Sequence, residues 1–202
     1  KIGLDKLLTI NAIKKIGIDA PWTIDANCDG PLEFPCIFKP RFSSGSKSIF
    51  IINSIKEANL FSEKYSNFIF QELLEPYDKE ITCCIYKSKE GFINTIQFER
   101  LLVGGLTGWA KVILNEEIDD VLNNIAHSFN LNGSINVQLR LTEKGPMIFE
   151  INPRFSSTCY MRHQLGFTDV IWSLKESFNE PIKFRKSLPG PIAIRTHEVK
   201  IL

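Results

Sequence analysis

The sequence predicts an α+β chain in two lobes. Three observations carry that reading: strands that alternate apolar and polar residues, amphipathic helices between them, and short loops of turn composition. In chain order, residues 5–16 put Leu7, Leu8, Ala12, Ile13 and Ile16 near one face of a helix that Gly17 ends. Phe34 to Phe38 is an apolar, extended run that delivers Lys39 and Pro40 into a Gly and Ser loop, and a second apolar run covers Ile49 to Ile52. With a helix expected over 55–64 and a buried strand from Phe68, residues 35–72 read as an antiparallel lid. Beyond it, strands are expected at 80–87, 92–101 and 110–114, and a helix at 116–129. That helix buries Ile118, Val121, Leu122, Ile125 and Phe129 and leaves His127 solvated. Two further strands, Ser134 to Thr142 and one from Ile148, precede a helix near 169–178. Residues 103–109 (VGGLTGW) read as a Gly-rich turn between strands.

Composition bounds the function. The 202 residues, 44% of them hydrophobic, suffice for a sizeable core. No apolar run approaches a membrane span and no signal peptide is visible. A formal net charge of +1 implies no polyanionic partner, so neither nucleic acid nor membrane is expected, and phosphate affinity must come from local clustering. Cys28, Cys36, Cys83, Cys84 and Cys159 show no metal-ligand spacing, and an odd count without a disulfide framework suits a cytoplasmic location.

The most informative stretch is Ile148 to Ser157, IFEINPRFSS. A strand alternates its side chains with a period of two. Glu150, Asn152 and Arg154 therefore share a face while Phe149 and Ile151 enter a core. A carboxylate and an amide oxygen are hard ligands suited to Mg²⁺, and a guanidinium pairs with phosphate oxygens through its planar fork. The plainer reading is a half-exposed strand with a polar face. Upstream, Ser134 to Thr142 alternates so that Ile135, Val137, Leu139 and Leu141 take one side and Asn136, Gln138 and Arg140 the other. Thr142 to Pro146 is a turn by composition, so a hairpin would set Gln138 near Glu150 as a further oxygen ligand.

Two more pieces suit a nucleotide. In Lys39-Pro-Arg41-Phe-Ser43-Ser44-Gly45-Ser46-Lys47, backbone N–H groups can line an anion while Lys39, Arg41 and Lys47 add charge. It is not a Walker loop, since no Gly-x-x-x-x-Gly-Lys-Ser/Thr occurs and a strand follows, and an ordinary hairpin loop is the plain alternative. The strand ending in Gln71, Glu72, Leu73 and Leu74 runs into a linker that offers an apolar slot and backbone hydrogen bonds to a base. Glu80, at the head of the next strand, is a carboxylate for a ribose.

The order of these parts resembles the ATP-grasp family, and most closely its carbamoyl-phosphate synthase large-subunit branch. A lysine-bearing strand, a Gly/Ser flap, a Gln-Glu-hydrophobic hinge, a Glu-bearing strand, a Gln-bearing strand and Glu-x-Asn-Pro-Arg follow one another from Lys39 to Arg154. The resemblance implies an ATP-grasp fold with ATP between antiparallel sheets. It divides the chain into an N-terminal helical segment (1–19), a lid lobe with the flap (20–75) and a C-terminal lobe with the metal strands (76–202). It assigns Lys39, Arg41, Ser44, Gly45, Ser46 and Lys47 to the ATP phosphates, Gln71, Glu72, Leu73 and Leu74 to the adenine hinge and Glu80 to the ribose. Gln138, Glu150 and Asn152 become ligands of Mg²⁺, with Mn²⁺ as a substitute, and Arg154 and Lys47 the catalytic cations. Arg100, Arg162 and His163 are further acceptor-side candidates. Two features depart from the family pattern: Ser48 stands where many relatives have another glycine, and the Rossmann-like domain that usually precedes the ATP-binding part does not fit ahead of Lys1, which suggests a fragment.

The expected activity is a ligase that phosphorylates a carboxylate or bicarbonate with ATP and passes the acyl group to an amine or ammonia. No glutaminase constellation is evident, so ammonia would come from a partner. The alternative is a nucleotide-binding regulatory or degenerate module without turnover, and the sequence leaves the oligomeric state open.

Overall fold

The computed structural model describes residues 2–42, 48–185 and 187–196. The chain forms two compact units, Lys1–Asp78 with Gln138–Pro153, and Lys79–Val137 with Arg154–Leu202.

In the first unit, helix α1 (Lys6–Lys15) begins where Asp5 accepts hydrogen bonds from the N–H groups of Leu7 (3.0 Å) and Leu8 (3.2 Å). That cap satisfies two of the donors a helix start leaves open. Ile10 and Ile13 are its buried apolar residues, and Gly17 takes a positive φ of 78° just beyond its end. A four-stranded antiparallel sheet follows, made of β1 (Thr23–Asp25), β2 (Cys36–Pro40), β3 (Phe50–Ile52) and β4 (Phe68–Glu72) in the order β1-β4-β2-β3. Helix α2 (Ile55–Lys64), capped by Ser54, joins β3 to β4. β1 has no expectation in the sequence, because three half-buried residues carry no period. It exists through its pairing with β4, Thr23 opposite Gln71. Aromatic rings fill the core: Phe38 stacks on Phe68 at 4.7 Å and meets Phe61 edge-on at 5.7 Å. Such pairs contribute beyond the area they bury.

The other strands are β5 (Glu80–Lys87), β6 (Ile93–Val103), β7 (Leu106–Ile113), β8 (Gly133–Thr142), β9 (Gly145–Asn152) and β10 (Ile192–Ile194). They form a six-stranded sheet in the order β10-β7-β6-β5-β8-β9, and the division between the units falls within β8, between Val137 and Gln138. Cys84, Tyr86, Phe98 and Val112 pack with Phe167, with Met161 of α4 (Cys159–Gln164) and with Trp172 of α5 (Asp169–Ser177). Helix α3 (Glu116–Ser128) buries Ile118, Leu122, Ile125 and Ala126. Val121 and Phe129 are only half-buried, and His127 is exposed as expected.

Three local expectations are corrected. The turn in 103–109 is confined to Gly104 and Gly105, both at positive φ, and Leu106 to Trp109 already belong to β7. Gly108 sits inside that strand because a Cβ there would lie 2.5 Å from Val103 Cγ2. In β8 Leu141 is exposed while Asn136 is buried, its Oδ1 accepting from Thr82 Oγ1 at 3.1 Å. In β9 Ile151 is buried, but Phe149 is half-buried, with Lys39 Nζ and the Arg140 guanidinium each 5.5 Å from its ring centroid.

Candidate active site

β9 ends in the chemistry read from its period. Glu150 is half-buried and Asn152 is 8% exposed, and Asn152 Nδ2 donates to Glu150 Oε1 at 2.9 Å. The two side chains thus share a face, and the donation orients the amide so that its Oδ1 remains an acceptor. Gln138 lies half-buried on the neighbouring β8. Among the described residues no three of His, Cys, Asp and Glu converge as a metal cage. One carboxylate with amide oxygens instead fits a Mg²⁺ ion that keeps most of its shell for phosphates and water.

Two lysines in the same unit are buried. Lys39, at the end of β2, lies against the Phe149 ring. Lys6 is the first residue of α1. Burial pulls its ammonium below the ordinary value, and the Glu150 and Asp5 carboxylates hold it partway up. Its position follows from the packing of α1 against β9, and just ahead of the helix Gly3 approaches Pro153, beyond β9, so closely that a Cβ would lie 2.4 Å from its Cδ. Nothing in the spacing of a lysine after a cap residue marks it, so only tertiary packing finds it.

Several candidates have other partners. The Arg41 guanidinium is committed to two carboxylates: Nε and Nη2 donate to Asp5 at 2.9 and 2.7 Å, and Nη1 to Asp25 at 2.7 Å. Burial alone would raise the Asp5 carboxyl, but the Arg41 fork and the N–H groups of Leu8 and Leu7 outweigh it and leave Asp5 below the ordinary carboxylate value. Gln71 is buried and donates to Thr23 Oγ1 at 2.9 Å, while the Glu72 carboxylate accepts from the Trp22 N–H at 3.1 Å. Both therefore hold β4 to the chain around β1. Leu73 and Leu74 follow β4 outside any strand, with Leu74 buried. Ser44, Gly45, Ser46 and Lys47 lie outside the described residues.

In the second unit Glu80 opens β5 opposite Arg100, which donates to it through Nη2 and, at 3.1 Å, through Nε. Arg100 also donates to Thr107 Oγ1 at 3.1 Å and is buried. Arg154 lies past the end of β9, so the strand period that aligns Glu150 with Asn152 does not extend to it. It is exposed, and its Nη1 donates to the carbonyl of Phe155 at 3.1 Å. Arg162 is fully buried, its fork on Asp169 at 3.0 and 2.6 Å and Nη1 on Ser156 and Thr158 hydroxyls. That leaves it holding the loop after β9, whereas His163 is exposed.

Residues 4–158, well over half of the chain, match the family model described as the ATP-grasp domain. N5-carboxyaminoimidazole ribonucleotide synthetase of Staphylococcus aureus, solved with ADP, is 18% identical with a TM-score of 0.75, covering 96% of this chain and 54% of that one. The biotin carboxylase domain of Hydrogenobacter thermophilus 2-oxoglutarate carboxylase, solved with MgADP, ADP and bicarbonate, is 14% identical with a TM-score of 0.75, covering 92% and 47%. An L-amino acid ligase of Bacillus licheniformis is 14% identical with a TM-score of 0.69, covering 90% and 48%. The chain spans about half the length of the solved structures it matches. With antiparallel sheets in the expected chain order and the family model matched from residue 4 to residue 158, this chain belongs to the ATP-grasp family and has its fold.

Proposed function

We propose that the protein is an ATP- and Mg²⁺-dependent ligase that activates a carboxylate or bicarbonate as an acyl phosphate for attack by an amine or ammonia. The observation that carries this reading is the Glu150 and Asn152 pair at the end of β9, with buried Lys6 and Lys39 in the same unit. Lys39 and Lys6 would hold ATP phosphates, Glu150, Asn152 and Gln138 would hold Mg²⁺, and Leu73 and Leu74 would receive the adenine. Glu80, oriented by Arg100, would take the ribose hydroxyls, and the exposed Arg154 would face the transferred phosphoryl group. Arg41 is left out of the proposed phosphate set because the Asp5 and Asp25 carboxylates offset its charge and take three of its donors. Lys47 and the rest of the flap would also bind the ATP phosphates, and the lobes 20–75 and 76–202 are proposed as the functional divisions.

Bound Mg²⁺ would neutralise charge on the phosphates. The protein's own part is then positioning and charge stabilisation, the usual means of phosphoryl transfer. A carboxylate oxygen attacks the γ-phosphorus and ADP leaves; the amine nitrogen then attacks the acyl carbon, phosphate leaves, and the nitrogen gives up a proton. The relatives solved with ADP and with bicarbonate support this class of chemistry. They do not single out the carbamoyl-phosphate branch, which stays one proposal beside the carboxylate-amine ligases. Retention of a carboxylate paired to an amide also argues against a module without turnover.

The test is a thermal shift with Mg-ATP followed by ADP release. Ligand at about 100 times its dissociation constant contributes about 2.7 kcal/mol. A rise in melting temperature, and ADP release stimulated by one of a panel of carboxylic acids and bicarbonate with ammonia or amino acids, is expected. No shift with Mg-ATP would sink the assignment; a shift with no stimulated release would favour the binding module.

A further inference from the structure

The segment from Leu73 to Asp78 leaves β4 and enters no ladder until β5 starts at Glu80. A base recognised by backbone groups there needs that backbone held from outside. Arg140, two residues beyond Gln138 on β8, reaches it: Nη2 donates to the Tyr77 carbonyl at 2.7 Å, and the guanidinium lies 4.8 Å from the centroid of the Tyr77 ring. The same guanidinium is 5.5 Å from the Phe149 ring, which also carries Lys39 Nζ at 5.5 Å. Tyr77, Arg140, Phe149 and Lys39 thus form one continuous stack within the first unit, joining the linker to β8, β9 and the end of β2.

A planar guanidinium suits this place better than an ammonium would. It can stack on two rings while its edge donates to a carbonyl, whereas a lysine offers a point charge on a flexible stem. We propose that Arg140 is a positioning residue for the hinge, holding Tyr77 so that the backbone after Leu73 is preset for the base, with Phe149 as the ring it shares with Lys39. This inference rests on the nucleotide reading given above. It assigns Arg140 to the base end of the ligand and Lys39 to the phosphate end, so the two residues differ in which part of the ligand feels their loss.

The experiment is displacement of a fluorescent ADP derivative from the full chain by adenosine and by Mg-ADP. For Arg140→Met, both ligands are expected to weaken by the same factor, about tenfold for a stacked, charge-assisted contact. Lys39→Met should weaken Mg-ADP far more than adenosine. Arg140→Lys should recover only part of the loss, and Tyr77→Phe should match the wild type while Tyr77→Leu weakens both ligands about threefold. Tyr77 is exposed, so its variants carry the test if Arg140→Met fails to fold by circular dichroism. Unchanged adenosine affinity in Arg140→Met, or a loss confined to Mg-ADP, would overturn the proposal by making Arg140 irrelevant or a phosphate ligand. A wild type that binds no ADP derivative would instead overturn the nucleotide reading, and the inference with it.

Discussion

The ends of β2 and β9 invite comparison, because each strand delivers a polar residue and then an arginine two positions later. Lys39 is followed by Arg41, and Asn152 by Arg154. By sequence the two arginines are equivalent cations beside a phosphate site. In the structure Arg41 makes three donations to the Asp5 and Asp25 carboxylates, whereas Arg154 is exposed and donates to the neighbouring Phe155 carbonyl. Spacing decides where a cation is delivered. What its neighbours do to its charge decides whether it remains available for a ligand.

The largest effect that would test this difference lies at Glu150. Glu150→Gln keeps the size and one acceptor oxygen but removes the charge proposed to hold Mg²⁺ against the phosphates. Turnover is expected to fall on the order of 10²-fold or more, with only a modest fall in melting temperature, because the side chain lies outside the apolar core and Asp5 still faces the buried Lys6 once the Glu150 charge is gone. Steady-state ADP release with the stimulating carboxylate, beside a nucleotide titration, makes the comparison. Equal turnover in the variant would return β9 to being a strand with a polar face.

Arg154 and Arg41 come next and are expected to part company. Arg154→Lys keeps a charge without the bidentate fork, so turnover should drop about tenfold while nucleotide affinity and stability hold. Arg41→Met should do the reverse. It strands two partly buried carboxylates, at a cost of about 2 kcal/mol in unfolding free energy by denaturant titration, and leaves nucleotide affinity close to wild type. Because the folded Asp5 carboxyl lies below its unfolded value of 3.8, the clamp's contribution is fully present above that pH and is lost as pH falls through the lower, folded value. A tenfold loss of ADP affinity in Arg41→Met would restore it to the phosphate set.

What could be read from the sequence follows the same logic. Helices α1, α2, α3 and α5 and strands β2 to β9 were legible because their periods and turn residues are local signals, and α2 lies at 55–64 in both the reading and the structure. β1 and α4 were not, since three half-buried residues or a six-residue helix have no period to detect. In the site, the shared face of Glu150 and Asn152 was legible from alternation alone. The commitments of Arg41, Gln71, Glu72 and Arg162 were not, because each partner lies on another element. Lys6 carries no sequence signal for a related reason: it becomes a buried cation only when α1 packs on β9.

The smallest expected effect is a fraction of a proton, and it bears on Lys6. Burial holds its ammonium below the ordinary 10.5, against the pull of Glu150 and Asp5. A lysine whose folded value lies below the unfolded one costs stability in full below the folded value, and the cost fades above it until it is gone beyond the unfolded 10.5. Phosphates placed beside it would favour the charged form and raise the folded value again. Nucleotide binding should therefore take up protons in the alkaline window between the value in the free protein and the value in the complex. Titration calorimetry of Mg-ADP in buffers of different ionisation enthalpy measures the uptake directly. It is expected to grow from neutral pH toward the alkaline side in the wild type and to shrink in Lys6→Met, which keeps the apolar stem and loses the titrating group. Equal uptake in the two proteins would mean that the buried charge beside Glu150 serves the packing of α1 and not the nucleotide.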